Sequence, residues 1–183
     1  PNAQWKALLV LSRLGAVRVP SEIAKLKWEH INFEAKRIFI VDSSKTEHHR
    51  RRATRAIPLL PQIEKELLKL HLEAEDGTEA TEYVFPQISG QTNLRTYLER
   101  IIRRAGVKQW PKLWHNLRAS GATDFARKLP SHVAAEICGH TEEIAKEHYW
   151  QVGESDLDLA IEKLGSPKVA QKLAQDDGSH GLQ

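Results

Sequence analysis

The stretch WHNLRASGATDFARKLPSHVAAEICGHTEEIAKEHYWQV, residues 114–152, governs the reading of this chain. His115 and Arg118 stand three apart in it, and on a helix that spacing puts both side chains on one face. They offer an imidazole and a guanidinium fork to the same phosphate. Gly139-His140 then breaks one helical pattern, and Tyr149, nine residues after His140, closes the next. Upstream, Arg18 lies in RLGAVRVPSEIAKLKW (13–28) and Lys45 in SSKTEHHRRRATRAIPLLP (43–61). Together Arg18, Lys45, His115, Arg118, His140 and Tyr149 point to phosphoryl transfer with a tyrosine nucleophile.

The surrounding pattern is mainly helical with a small sheet, an α+β class. Residues 2–14 carry apolar side chains at helical spacing, and Pro20-Ser21-Glu22 looks like the opening of a second helix, which leaves Arg18 in the loop between. Ile38 to Val41 and Ala56 to Leu59 read as two antiparallel strands joined by a long basic turn that carries Lys45. Helical periodicity follows over 61–73, 91–105, 114–128, 131–138, 141–149 and 155–164, with a turn-rich connection before residue 91.

Length and composition narrow the class. The 183 residues can bury one substantial core, and 40% hydrophobic with 28% charged residues describes an ordinary soluble protein. No apolar run approaches the roughly 18 residues that a membrane span requires, so no membrane partner is expected and a cytoplasmic location is. One cysteine cannot form an internal disulfide, which agrees with a reducing compartment. With no methionine anywhere, Pro1 is not a natural translation start, and the chain reads as a piece of something longer. The net charge of +3 is too modest to decide nucleic-acid binding, but its distribution says more: Arg50, Arg51, Arg52 and Arg55 cluster beside Lys45.

The pattern H-x-x-R, then G-H, then Y resembles the catalytic domain of the tyrosine recombinases, the phage integrase family. Residues 13–28 resemble that family's first arginine box, with Arg18 in the arginine position and Glu22 in the acidic one; residues 43–61 resemble the hairpin that carries its lysine, Lys45. The chain departs from the commonest pattern in three places. Arg18 and Glu22 lie four apart instead of three, in an R-x-P-S-E form found in a subgroup of bacterial integrases. Ala119-Ser120-Gly121 replaces a His-Thr-Phe-like run, and Cys138 stands where leucine is common.

The resemblance implies a catalytic domain over residues 1–165 with a tail over 166–183, an N-terminal DNA-binding domain outside this chain, and a bacterial or phage origin. It implies site-specific cutting and rejoining of duplex DNA through a 3′-phosphotyrosyl intermediate, without metal, ATP or any other cofactor. Arg18 and Arg118 would neutralise the transition-state charge, Tyr149 would attack, and Lys45 would be the general acid. His115 and His140 would donate hydrogen bonds or assist proton transfer, and Arg50, Arg51, Arg52 and Arg55 would contact DNA. Blander readings exist for each: an ion pair between Arg18 and Glu22 one helical turn on, a solvated Lys45, a Tyr149 that anchors a helix end. The rival functions are a type IB topoisomerase-like relaxing activity and a catalytically silent DNA-binding module. His48-His49, Cys138 and His148 lack a zinc-ligand spacing. Leu157, Ala160, Ile161 and Leu164 form an apolar stripe that docks either on its own domain or on a neighbouring protomer; the resemblance suggests the second, in a monomer that assembles into a tetramer on DNA.

With one half of a DNA clamp present, duplex binding by this fragment is expected to be weak and steeply salt-dependent, because phosphate contacts dominate such affinity. Charge reversal at Arg50, Arg51 and Arg52 should weaken it further and flatten the salt slope. Fluorescence anisotropy of a labelled duplex across a salt series checks this; tight, salt-insensitive binding would contradict it.

Overall fold

A computed structural model describes residues 2–41, 54–75, 81–88 and 92–139. The chain divides by its contacts into Pro1–Tyr149 and Trp150–Gln183, and every described element belongs to the first unit. The elements are α1 (Ala3–Leu14), β1 (Ile31–Asn32), β2 (Arg37–Val41), β3 (Thr54–Pro58), α2 (Pro61–Glu75), α3 (Leu94–Arg104), α4 (Leu113–Lys128) and α5 (Ser131–Cys138). Mainly helical with one small antiparallel sheet, this is the α+β class read from the sequence. The helical stretches expected over 141–149 and 155–164, and the tail 166–183, lie outside the described residues.

Helix α1 starts where the Asn2 side chain accepts the Trp5 N–H at 3.1 Å, an N-cap that satisfies one orphan donor of the first turn. Its apolar stripe buries Ala7, Leu8 and Leu11, and the helix ends as the Gly15 N–H bonds back to the Leu11 carbonyl. Residues 16–22 form the loop that carries Arg18, as expected. The helix anticipated from Pro20-Ser21-Glu22 does not form: a single 3-10 turn, Ile23–Lys25, takes its place. Ile23 and Leu26, three apart, are both buried by that one turn. Beyond it only Leu26 and Lys27 are extended, where the Leu26 carbonyl and the Trp28 N–H pair with the backbone of Val84 and Glu82, and a second 3-10 turn, Trp28–His30, follows.

The sheet runs β1-β2-β3, all antiparallel, with Ile38 opposite both Ile31 and Ile57, and Ile40 opposite Arg55. Side chains alternate across it with period two. Ile38 and Ile40 of β2 and Arg55 and Ile57 of β3 therefore face the core, while Arg37, Phe39, Thr54 and Ala56 face out. The two-residue β1 gives too little pattern for sequence to reveal. The main core joins this sheet face to α1 and α2 through Leu8, Leu11, Val17, Ile57, Ile63, Leu67 and Phe85. A second cluster, Leu98, Ile102 and Leu113, seats α3 on α4 beside Trp5 and Trp114.

Helix α4 approaches the end of α1 very closely. A Cβ on Gly121 would stand 2.4 Å from the Arg13 carbonyl oxygen, so only glycine permits this packing. Within the run Ala119-Ser120-Gly121, Gly121 makes this contact, while Ser120 is exposed and bonds the Asn116 carbonyl of its own helix. Among the described residues, no helix is long and apolar enough to cross a membrane.

Gly121→Ala is expected to destabilise the protein although it improves helix propensity. The propensity gain of about 0.5–1 kcal/mol is smaller than the roughly 1–3 kcal/mol of overpacking against a backbone oxygen that cannot swing away. Thermal unfolding should show a melting temperature lower by about 2 °C or more; a raised one would show that the two helices separate without cost.

Candidate active site

The site is built around one carboxylate. Arg18 and Glu22 close their loop in both directions: the Glu22 N–H donates to the Arg18 carbonyl at 3.1 Å, and the Arg18 N–H donates to Glu22 Oε2 at 2.7 Å. That reciprocal turn accommodates the spacing of four. The Arg18 guanidinium also meets Glu22 Oε1 at 2.5 Å. This is the ion pair of the blander reading, but it is no surface pair, since the Glu22 side chain is 0% exposed.

Arg55 comes from β3 and grips the same carboxylate with both arms, Nη1 to Oε1 at 2.7 Å and Nη2 to Oε2 at 2.8 Å. Arg118 comes from α4, with Nη1 at 4.0 Å from Oε2 and bonded to the Ala16 carbonyl. Side-chain exposure falls from 31% for Arg18 to 8% for Arg118 and 3% for Arg55. With three guanidiniums sharing one carboxylate, the cluster keeps a positive surplus, and Arg18 is its most open member.

The end of α5 completes the arrangement. The last carbonyls of a helix have no partner within it and sit at the negative end of its dipole. Here the Ile137, Cys138 and Gly139 carbonyls accept from Arg55 Nε at 2.9 Å, Arg118 Nη2 at 2.5 Å and Arg18 Nη2 at 3.2 Å respectively. Gly139 has φ +63°, the left-handed conformation that ends helices, and a Cβ there would stand 3.0 Å from Arg55 Cδ.

Burial alone would raise the Glu22 carboxyl, but the Arg55 hydrogen bonds and charge, joined by Arg18, outweigh it and hold it at about 2. Burial pushes Arg118 down to about 10, helped by the charges of Arg18 and Arg55 and opposed by Glu22, so it remains a cation at neutral pH. Burial also raises the Cys138 thiol. Buried charges this closely coupled are typical of functional sites.

Of the six residues expected to carry catalysis, the structure brings Arg18 and Arg118 together around Glu22. His115 stands on α4 one turn before Arg118 and is exposed. Lys45, His140 and Tyr149 lie outside the described residues, as do Arg50, Arg51 and Arg52. Arg55, expected at the DNA surface with its basic neighbours, is placed differently: strand alternation turns it inward, beside Ile57, onto Glu22. That signal is present in Thr54-Arg55-Ala56-Ile57, where every second residue shares a face. Among the described residues no group of three or more His, Cys, Asp or Glu side chains is placed to hold a metal ion.

A model of a family described as "Phage integrase family" matches residues 2–155. The fold is similar to that of XerA recombinase, at 18% identity over 88% of this chain and 58% of that one, with a TM-score of 0.66. It is similar to the Tn1549 transposon integrase in complex with transposon right end DNA, at 15% identity over 89% of this chain and 59% of that one, TM-score 0.69. It is also similar to XerH site-specific recombinase bound to palindromic difH substrate, at 22% identity over 91% and 46%, TM-score 0.62. The chain therefore spans 46% to 59% of the length of these proteins. No curated protein matches it.

A carboxyl held below its ordinary 4.5 in the folded state adds stability that is fully present above that value and is lost as pH falls toward about 2. Stability should therefore decline as acid is added through this window. Glu22→Gln should cost about 3 kcal/mol at neutral pH and flatten that decline. Urea titrations at a series of pH values check both; equal acid slopes in the two proteins would remove Glu22 from the account.

Proposed function

The chain belongs to the phage integrase family, and from that premise we propose that it is the catalytic domain of a site-specific DNA recombinase, cutting and rejoining strands through a covalent phosphotyrosine. The observation that carries this reading is the pair of cations, Arg18 and Arg118, fixed by a buried carboxylate and by the end of α5. A phosphodiester is anionic and inert, so its cleavage needs permanent positive charge where the non-bridging oxygens gain charge in the transition state. Guanidiniums supply that charge in a planar fork, and their fixed placement spares reorganisation during the reaction.

In the proposed reaction the Tyr149 phenolic oxygen attacks phosphorus, and the bond to the 5′-oxygen breaks. Lys45 gives its proton to that leaving oxygen, and the phenol releases its own proton with help from His140 or His115. The products are a 3′-phosphotyrosine and a free 5′-hydroxyl. One phosphoester replaces another of similar energy, so the reverse attack by a 5′-hydroxyl rejoins the strand without ATP. The substrate is duplex DNA, and assembly into a tetramer on it, with a separate domain on the opposite face of the duplex, belongs to the same proposal.

The test uses the full reading frame and a tiled set of nicked duplexes from the DNA that flanks it. One of them should accumulate a protein-DNA adduct that resists detergent, with EDTA without effect. Tyr149→Phe should abolish the adduct, and Arg118→Ala should slow it about 10²- to 10³-fold. An adduct that survives Tyr149→Phe, or that needs a metal, would overturn the mechanism.

A further inference from the structure

We infer that Arg55 is a positioning residue of the proposed reaction, holding Glu22 and the end of α5 so that Arg18 and Arg118 stand where a phosphate needs them. The inference rests on the proposed function and adds a residue that touches no DNA. With its side chain 3% exposed and both arms on Glu22, Arg55 acts through other groups.

Three observations give it this role. Its plane is fixed at three points, by the two Glu22 oxygens and by the Ile137 carbonyl. A point charge could not hold all three, because only a guanidinium presents its donors as a rigid fork. Next, the groups that Arg55 holds are the same as, or adjacent to, those that hold Arg18 and Arg118. Glu22 Oε1 meets Arg18 Nη1 at 2.5 Å, and the carbonyls next to that of Ile137 accept from Arg118 and Arg18. A shift of Arg55 is therefore passed to both. Lastly, Arg55 packs on Gly139, where a Cβ would stand 3.0 Å from its Cδ and 3.3 Å from its Nε, so the turn leading to His140 is shaped to its side chain.

Position on β3 adds a consequence. Arg55 follows closely on the basic stretch that holds Lys45, and the strand alternation that buries it ties that strand to the arginines of α4 and of the loop after α1. The residue joins the sheet to Arg18 and Arg118, the proposed phosphate-binding cations.

Among the described residues, the charged and titratable groups facing Glu22 are Arg18 from the loop after α1, Arg55 from β3, Arg118 from α4 and Cys138 from α5. While Arg55 is present the carboxyl stays ionised at every pH used for assay. Without Arg55, burial acts on it with less opposition, and its ionisation moves up toward the assay range.

The test uses the nicked duplex that reacts with the parent protein, and two variants, Arg55→Lys and Arg55→Gln, assayed below their own melting temperatures. Both should bind that duplex within about threefold of the parent, yet form the adduct about 10- to 100-fold more slowly, since small misplacements of catalytic groups cost this much. In Arg55→Gln the rate should also fall with acid through an ionisation that the parent lacks, and adding Glu22→Gln should remove that step. Variants that react at the parent's rate with the parent's pH profile would overturn the role of Arg55 alone. So would a loss of rate that only follows lost affinity or stability, with no new pH step. A parent protein that reacts with no duplex would overturn the proposed function, and this inference with it.

Discussion

A carboxylate taken wholly out of water and shared by cations from three different elements is the constraint on which this molecule depends. Glu22 is buried, and burying a lone carboxylate is costly enough that it would protonate instead. It stays ionised because Arg55 forks onto both of its oxygens and Arg18 bonds it through side chain and backbone. The reverse holds as well: Arg55 and Arg118 are buried cations that this carboxylate makes tolerable. Such a cluster contributes less to net stability than an apolar core of the same volume could, and its removal piecemeal is more damaging than its absence. What it provides is geometry, since each guanidinium is held in a plane by partners that are themselves fixed.

The end of α5 is where helix termination and site assembly become one event. A helix must dispose of its last carbonyls, and those of Ile137, Cys138 and Gly139 each meet a different arginine. Opposite charge at the negative end of a helix is favourable in any case. Gly139 lets the chain turn at φ +63° and leaves room for the Arg55 side chain. Gly121 serves the same assembly at a distance, because the close approach of α4 to the end of α1 sets Arg118 against Ala16, beside the loop that bears Arg18.

Membership in the phage integrase family, together with a fold shared with recombinases at 13% to 22% identity, shows how little of such a chain must stay the same for its architecture to persist. The departures in this chain are absorbed locally. The longer spacing from Arg18 to Glu22 is taken up by a turn that closes on itself, and Cys138 packs with Ala16 and Ala122 in a small cluster behind Arg118.

The residues themselves determined the class of the fold and most element positions, because helical and strand periods are local properties of a chain, whereas the grouping of Arg18 with Arg118 was implied only by the resemblance to a family. They also placed Arg18 in a loop between structured segments. Local pattern failed in three places. It proposed a helix at Pro20-Ser21-Glu22, where two short 3-10 turns form instead and the backbone between them pairs with the distant segment 81–88. It offered no sign of β1, a strand defined only by its partner. It read Arg55 by its charge, with Arg50, Arg51 and Arg52, although the alternation of β3 already set it on the face of Ile57. Which face of a strand is buried, which carboxylate an arginine can reach across 33 residues and which carbonyls end up beside it are facts of chain crossing. Only the tertiary structure decides them, because the energy of a buried charge depends on every group brought within a few ångströms of it, and sequence distance says nothing of that.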